Sequence, residues 1–297
     1  MNWIQTMKNT LSITLLGALP LMAYAAGNVA VKTPPLAETG SAHYTFERFT
    51  VDSPDSQLHY RIDVAVPKKA APAAGYPVMY LLDGNNVMAE LRDDWLGELE
   101  AGSPPLLVMV GYDIDGTYDM TQRTRDYTGS TSAAFLELLE NGIKPKVQTR
   151  YAVDPSRQTL WGHSFGGLFV LYALLEKPEA FQQWYAASPS LWFQPMTFDN
   201  GMALRGFTGD RPQTVRIVRG EREGKPPVGQ FDNGSPERRK AMAAVPNDSN
   251  RILAGHLATL AHTDATYEQF SGRNHGQMFS TALHPALRMA AGLPEKP

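Results

Sequence analysis

Apolar and polar residues follow two different patterns along this chain. Over residues 44–51 and 58–66 they alternate, on either side of a turn-like segment of Asp, Ser and Pro, which predicts an antiparallel hairpin with one face toward water. Further on, the runs at 78–82, 106–110 and 159–161 are apolar throughout, and a helix-like stretch follows each of them. Such runs are typical of parallel strands that are buried on both faces.

The same patterns predict helices and further strands. Apolar residues form a stripe along 133–150, and 167–176 and 251–262 also have helical spacing. Later strands are predicted at 184–187, 215–218 and 267–270. The stretch 223–250 is rich in Pro, Gly, Asn and charge, which predicts an inserted loop with a short helix. A hairpin followed by alternating strands and helices predicts an α/β fold, a three-layer sandwich around a mostly parallel mixed sheet with an N-terminal antiparallel hairpin.

The N-terminus has the pattern of an export signal. Lys8 precedes an apolar run over residues 11–24, and the small residues Ala23 and Ala25 fit the A-x-A rule for cleavage. The run is too short for the ~30 Å hydrocarbon core of a bilayer, so a cleaved signal peptide over 1–25 is favoured over an uncleaved membrane anchor. We therefore expect export to the periplasm, with no stable membrane insertion after cleavage.

Composition sets limits on the rest of the chain. Residues 26–42 are expected to form a loose leader, and 43–297 is long enough to build one domain, because 43% of the 297 residues are hydrophobic. The formal net charge is -3 and the Lys and Arg residues are scattered, which excludes nucleic acid as a partner. The chain has no cysteine, which excludes disulfides, thiolate nucleophiles and thiolate metal sites.

A G-x-S-x-G pentapeptide centred on Ser164 carries the strongest chemical signal. Alone the motif is common, but here it lies between a predicted strand and a predicted helix, as a nucleophile elbow does. That turn holds the serine hydroxyl above the sheet, with the N–H of Phe165 facing the same point as an oxyanion donor. A serine in a purely structural turn is the alternative.

A serine hydroxyl needs a general base, and His275 is the favoured one. It follows the last predicted strand, in a loop that can reach the carboxyl ends of the strands. His256 and His262 fall in the predicted helix 251–262, and His284 falls in a terminal helix, where a solvated or capping role is expected.

Two acidic residues on one loop are candidates to orient the base. In this kind of site the three residues occur along the chain in the order serine, acid, histidine. Glu221 and Glu223 follow the predicted strand 215–218, where the acid in that order normally lies. Asp232 and a Ser-His dyad without an acid are the remaining alternatives.

A second oxyanion donor is expected from Asn85 N–H after the strand 78–82, although an ordinary turn with Asn as helix N-cap explains the residue as well.

Six segments occur in order along the chain: YLLDGN at 80–85, VGY at 110–112, RTRDYT at 123–128, WGHSFGGLF at 161–169, SPSLW at 188–192 and HGQMF at 275–279. Together they resemble the esterase D-like α/β-hydrolases. They are most similar to the periplasmic siderophore esterases that open the trilactones of enterobactin and salmochelin. The resemblance covers nearly the whole chain after the signal and implies an α/β-hydrolase catalytic domain over 43–297.

The resemblance also implies roles for individual residues. The G-x-x-E pattern at 220–223 favours Glu223 over Glu221 as the acid, although some trilactone esterases are dyads. A ferric tricatecholate is anionic, so Arg123 is expected to bind it, with a structural ion pair to Asp126 or another acid as the alternative. Trp192 is expected to pack on a catechol ring or, equally, in the core.

The expected function is therefore serine ester hydrolysis of a small-molecule substrate, a ferric catecholate trilactone siderophore, which releases iron in the periplasm. The chemistry requires no metal or organic cofactor. The alternative is an exported carboxylesterase that acts on feruloyl, acetyl or other small acyl esters; export argues against an S-formylglutathione-type thioester. An exported acyltransferase and a catalytically silent binding protein are the hypotheses from other classes.

Overall fold

The computed structural model describes residues 35–193, 211–224 and 236–295. Within these residues, eight strands form one sheet in the order β1-β2-β4-β3-β5-β6-β7-β8. The strands are β1 Tyr44–Asp52, β2 His59–Pro67, β3 Tyr76–Leu82, β4 Leu106–Tyr112, β5 Val153–His163, β6 Gln183–Ala187, β7 Gln213–Gly220 and β8 Thr263–Phe270.

The predicted hairpin and the mixed sheet are confirmed. Strands β1 and β2 pair antiparallel over their whole length, and β2 pairs antiparallel with β4. All pairs from β4 to β8 are parallel. The alternating hairpin and the continuous apolar runs therefore predicted the two parts of the sheet correctly.

Helices cover both faces of this sheet. They are α1 Leu36–Thr39, α2 Gly84–Glu90, α3 Asp93–Glu98, α4 Met120–Tyr127, α5 Ser132–Leu138, α6 Lys144–Arg150, α7 Phe165–Glu176, α8 Pro236–Ala244, α9 Ser249–Leu257 and α10 Met278–Ala290. On one face α4 to α7 and α9 pack against side chains such as Tyr80, and on the other α2, α3 and α10 pack against side chains such as Leu81. Successive residues of a strand point to opposite faces, so a continuous apolar run serves both layers.

Two predicted helices differ from the observed ones. The helix predicted at 133–150 is interrupted by a π-helical segment, Leu139–Ile143, between α5 and α6. Pro145, in the first turn of α6, has no N–H and its ring crowds the preceding turn, which the wider π-turn accommodates. The helix predicted at 251–262 ends at Leu257, and His262 has a φ of 61°, which no right-handed helix contains.

The chain before β1 is described only in part. The predicted signal peptide and most of the predicted leader lie outside the described residues. From Pro35 onward the chain contacts the fold: Leu36 packs beside the core, and Ala42 N–H donates to Asp93 Oδ1 at 3.1 Å. Across the described ranges, no helix has both the length and the apolar character needed to cross a bilayer.

Candidate active site

The carboxyl ends of five adjacent strands form the candidate site. Strands β3, β5, β6, β7 and β8 are neighbours and parallel, so their carboxyl ends lie along one edge of the sheet. Asn85, Ser164, Glu223 and His275 each follow one of these strand ends. Residues far apart in sequence therefore meet at a single edge, where open α/β sheets bind their ligands.

The backbone at Ser164 has the shape of a nucleophile elbow. Ser164 has φ 62° and ψ -116° and joins β5 directly to α7. A side chain at Gly162 would place its Cβ 2.4 Å from Gly166 C, and one at Gly167 would place it 2.8 Å from Ala187 O. These glycines let the strand and helix approach closely enough to hold Ser164 in its strained conformation.

Ser164, His275 and Glu223 form a continuous chain of hydrogen bonds. His275 Nε2 lies 2.9 Å from Ser164 Oγ, and His275 Nδ1 lies 3.0 Å from Glu223 Oε2. The carboxylate can only accept, so Nδ1 carries a proton and Nε2 is free to accept the proton of Ser164. The His275 side chain is 43% exposed, which leaves the histidine and the adjoining hydroxyl open to a substrate.

The environment keeps Glu223 ionised. Its side chain is only 8% exposed, and burial alone would raise the pKa of the carboxyl. Hydrogen bonds from His275, from Ser188 Oγ at 2.6 Å and from Gly220 N–H at 2.7 Å outweigh burial, so the pKa lies below its ordinary value of 4.5. A charged carboxylate in this position stabilises the imidazolium that forms when His275 takes a proton.

The other candidate acids and bases lie elsewhere. Glu221 Oε2 accepts from Gly272 N–H at 2.9 Å and Ser271 Oγ at 3.2 Å, so it supports the turn after β8 instead of the imidazole. Asp232 lies outside the described residues. His284 is in α10, stacked on the Trp95 ring at 4.9 Å.

The two predicted oxyanion donors are at the starts of two helices. Phe165 is the first residue of α7, and Asn85 is the second residue of α2, so neither N–H has an i-4 partner within its helix. The Asn85 side chain fixes its turn by accepting from Tyr112 N–H at 2.9 Å and donating to Gly116 O at 2.9 Å.

Arg123 is buried, and of the two roles expected for it the geometry matches the structural ion pair, formed here with Asp83 and not with Asp126. Only 5% of the residue is exposed, and its guanidinium makes a bidentate pair with Asp83 at 2.6 and 2.9 Å. It also donates to His163 O at 3.1 Å. Burial opposes the charge of Arg123, but the Asp83 carboxylate outweighs burial and raises the pKa of the guanidinium. Arg123 therefore links the turn after β3 to the end of β5, the strand that leads into Ser164.

Replacing Arg123 by Met is expected to destabilise the protein by about 3–5 kcal/mol, because the Asp83 carboxylate, with none of its side chain exposed, would lose its ion partner. Urea unfolding measures this loss. Arg92→Met is the matched control, since Arg92 and Asp94 form an exposed pair and its removal should leave the unfolding midpoint unchanged. Equal midpoints for the two variants would contradict the assignment.

Trp192 belongs to an aromatic cluster beside Ser164. Its ring lies 5.9 Å from that of Phe165 and 5.6 Å from that of Phe193. Phe193 is 38% exposed, so the cluster is not closed off as core. Aromatic faces at this position can pack against a flat ring of a substrate.

Three polar residues next to the triad were missed as site residues in the sequence. His163 Nε2–H donates to His275 O at 2.9 Å; burial, and then the nearby His275, lower the pKa of His163 far below its ordinary value. Ser188 Oγ contacts Glu223, and Ser190 Oγ lies 3.1 Å from Ser164 Oγ. All three residues lie within the segments that carried the resemblance. Their positions along the sequence, however, do not indicate that they contact the triad.

Potential metal ligands do not cluster in the part of the chain that is described. Across 35–193, 211–224 and 236–295, no three His, Asp or Glu side chains converge as metal ligands would. The chemistry that the site offers is acyl transfer through an activated hydroxyl.

Comparison with known proteins places the chain in a family. The Esterase family profile matches residues 53–288. The ferri-bacillibactin esterase BesA of Bacillus subtilis is 30% identical over 258 residues, which cover 78% of this chain and 84% of BesA. The apo-salmochelin esterase of Escherichia coli O6:H1 is 40% identical over 186 residues, which cover 57% of this chain and only 58% of that protein.

Solved structures agree with the sequence comparison. The enterobactin and salmochelin hydrolase IroE has a TM-score of 0.67 at 33% identity, with 87% of this chain and 100% of IroE covered. A further structure is that of IroE in complex with DFP, with a TM-score of 0.65. The chain therefore belongs to the Esterase family and is a serine ester hydrolase with the α/β-hydrolase fold.

Proposed function

We propose that this protein hydrolyses the ester bonds of a catecholate trilactone siderophore, with Ser164 as nucleophile, His275 as general base and Glu223 as the acid that orients it. The observation that carries the catalytic part is the hydrogen-bonded chain Ser164–His275–Glu223, with links of 2.9 and 3.0 Å. The relatives support the substrate class, since those described above are named for salmochelin, bacillibactin and enterobactin.

Acylation begins when Ser164 Oγ attacks an ester carbonyl. The Oγ proton passes to His275 Nε2, and the imidazolium then gives it to the departing alcohol. Glu223 holds Nδ1–H and stabilises the transient positive charge. The N–H groups of Phe165 and Asn85 donate to the carbonyl oxygen as it becomes negative.

Deacylation repeats these steps with water. His275 takes a proton from water, the hydroxide adds to the acyl carbon, and the proton returns to Ser164 Oγ as the acyl–oxygen bond breaks. The half-exposed His275 gives water access to the acyl-enzyme.

The surroundings of the site suit a large anionic aromatic substrate. The aromatic cluster of Phe165, Trp192 and Phe193 can pack on a catechol ring. Arg222 and Arg273 are exposed and lie on the loops that carry Glu223 and His275, with Arg222 N–H bonded to Arg273 O at 2.9 Å. These two arginines are better placed than Arg123 to attract the charge of a ferric tricatecholate.

Hydrolysis of such a substrate would release its iron. The trilactone ring holds three catechols in the geometry that iron requires, and opening the ring removes this preorganisation. The N-terminal pattern around Lys8 and the A-x-A site supports a periplasmic location, where an imported ferric siderophore would be met.

The deciding experiment incubates the protein with ferric enterobactin and separates the products by chromatography, beside a Ser164→Ala control. Linear catecholate products from the native protein alone are expected. If simple aryl, acetyl or feruloyl esters are cleaved through Ser164 while the trilactone stays intact, the siderophore assignment is wrong and an exported carboxylesterase takes its place.

A further inference from the structure

A short segment after β6 contacts both ends of the triad. Ser188 Oγ donates to Glu223 Oε1 at 2.6 Å, and two residues later Ser190 Oγ lies 3.1 Å from Ser164 Oγ. Ser190 N–H also donates to Ser164 O at 3.1 Å. Ser190 is only 3% exposed, so its hydroxyl faces the nucleophile from the protein side.

The direction of the Ser190 hydrogen bond follows from the proton count. Ser164 Oγ has one proton, and the base at 2.9 Å must receive it for attack to occur. Ser164 Oγ can therefore only accept from Ser190, and Ser190 must donate.

We propose that Ser190 is a further catalytic residue, a hydroxyl that donates a hydrogen bond to Ser164 Oγ during both attack and departure. This inference rests on the proposed role of Ser164. As the bond from Oγ to the acyl carbon forms, the Oγ proton goes to His275 Nε2 and Ser190 keeps its own. In deacylation the same bond breaks, the electron pair returns to Oγ, and His275 returns the proton.

The physical effect is electrostatic. Negative charge builds on Ser164 Oγ as its proton leaves and again as the acyl group departs. A donor already aimed at that atom stabilises this charge without reorganising in the transition state. The N–H groups of Phe165 and Asn85 donate to the carbonyl oxygen of the substrate. Ser190 donates to a different atom, Ser164 Oγ.

The segment is held rigidly enough for this role. Ser188 has a φ of 45°, a conformation that a non-glycine residue adopts only when its surroundings enforce it. Its N–H donates to Val218 O at 2.7 Å and its hydroxyl is bound to Glu223, so both ends of the residue are fixed. Pro189 then restricts the backbone that leads to Ser190.

The test compares Ser190→Ala with the native protein on an aryl ester and on a fluorophosphonate that phosphonylates the nucleophile. We expect kcat/KM and the rate constant of inactivation to fall together, by about 10- to 100-fold, somewhat less than the loss caused by removing an oxyanion-hole donor. The pH at half-maximal kcat/KM should keep its position, because His275 and Glu223 retain their partners.

Two further variants keep the test decisive. Ser53→Ala removes another largely buried, hydrogen-bonded hydroxyl, in the turn between β1 and β2, and should leave both rates unchanged. Ser190→Cys keeps a donor at the same position, but a weaker one, and should give intermediate rates. If Ser190→Ala lowers the melting temperature and shifts the pH profile, or if its rates equal those of the native protein, the proposal is wrong.

The Ser164→Ala variant separates this inference from the function on which it rests. Loss of turnover in Ser164→Ala with full activity in Ser190→Ala would overturn the role of Ser190 alone. Turnover that survives in Ser164→Ala would overturn both.

Discussion

Replacing Ser164 by Ala is expected to lower kcat/KM for ester hydrolysis by about a millionfold, to the level that substrate binding and the oxyanion donors alone sustain. His275→Ala should cost nearly as much, because the hydroxyl without its base is a poor nucleophile at neutral pH. The double variant should be no worse than either single one, since the two residues act as a unit.

Initial rates with an aryl ester at high enzyme concentration measure these losses. The melting temperature of each variant serves as the control for folding, since neither side chain belongs to the core. Ser164→Ala should also fail to react with a fluorophosphonate, which labels only an activated serine. More than a hundredth of the native activity in Ser164→Ala would identify another nucleophile, and the same result in His275→Ala would identify another base.

Replacing Glu223 by Gln is expected to lower kcat by about 10⁴-fold, since an amide in place of the carboxylate disfavours the tautomer that leaves Nε2 free to accept. Glu221→Gln is the matched control on the same loop. Its carboxylate accepts from the turn at Ser271 and Gly272, so activity close to native is expected. If Glu223→Gln stays within tenfold of the native rate, the site works as a Ser-His dyad.

The Glu223→Gln variant has a second, independent readout. Because the pKa of Glu223 is lower in the folded protein than its ordinary value of 4.5, ionisation of this group stabilises the fold above that pH. The difference in free energy of unfolding between the native protein and the variant should be largest at neutral pH. It should shrink as the pH falls through the lowered pKa of Glu223. Urea unfolding from pH 7 to pH 3 measures it, and a difference that does not vary with pH would contradict the ionised, hydrogen-bonded carboxylate.

The fold was predictable because its patterns are local. Alternation over 44–51 and 58–66 and continuous apolar runs such as 78–82 follow directly from which faces of a strand are buried. The end of α9 could not be predicted in this way. The chain leaves the helix at Leu257 and continues into β8, which pairs with β7, and this tertiary pairing overrides the helical spacing of the sequence.

The candidate site was predictable where position along a strand decides it. Ser164 has a motif and His275 follows the last strand, so the sequence alone singles out both residues. Only the family pattern favoured Glu223 over Glu221. Both residues lie on the same loop after β7, and the sequence does not show which of the two side chains points toward His275. The choice between the two roles of Arg123 could not be made from the sequence, because its partner Asp83 is 40 positions away and charge alone does not say whether an arginine faces water.

The order of the strands gives the segments that carry Ser164 and His275 different local stabilities. Ser164 directly follows β5, which has paired strands on both sides, whereas His275 follows β8, the last strand of the sheet in the described part of the chain. Amide hydrogens of a terminal strand exchange with solvent through local opening, at a lower free-energy cost than those of an interior strand. On gentle heating, we therefore expect the segment that carries His275 to open, and the proposed activity to be lost, while the strands around Ser164 are still protected from exchange.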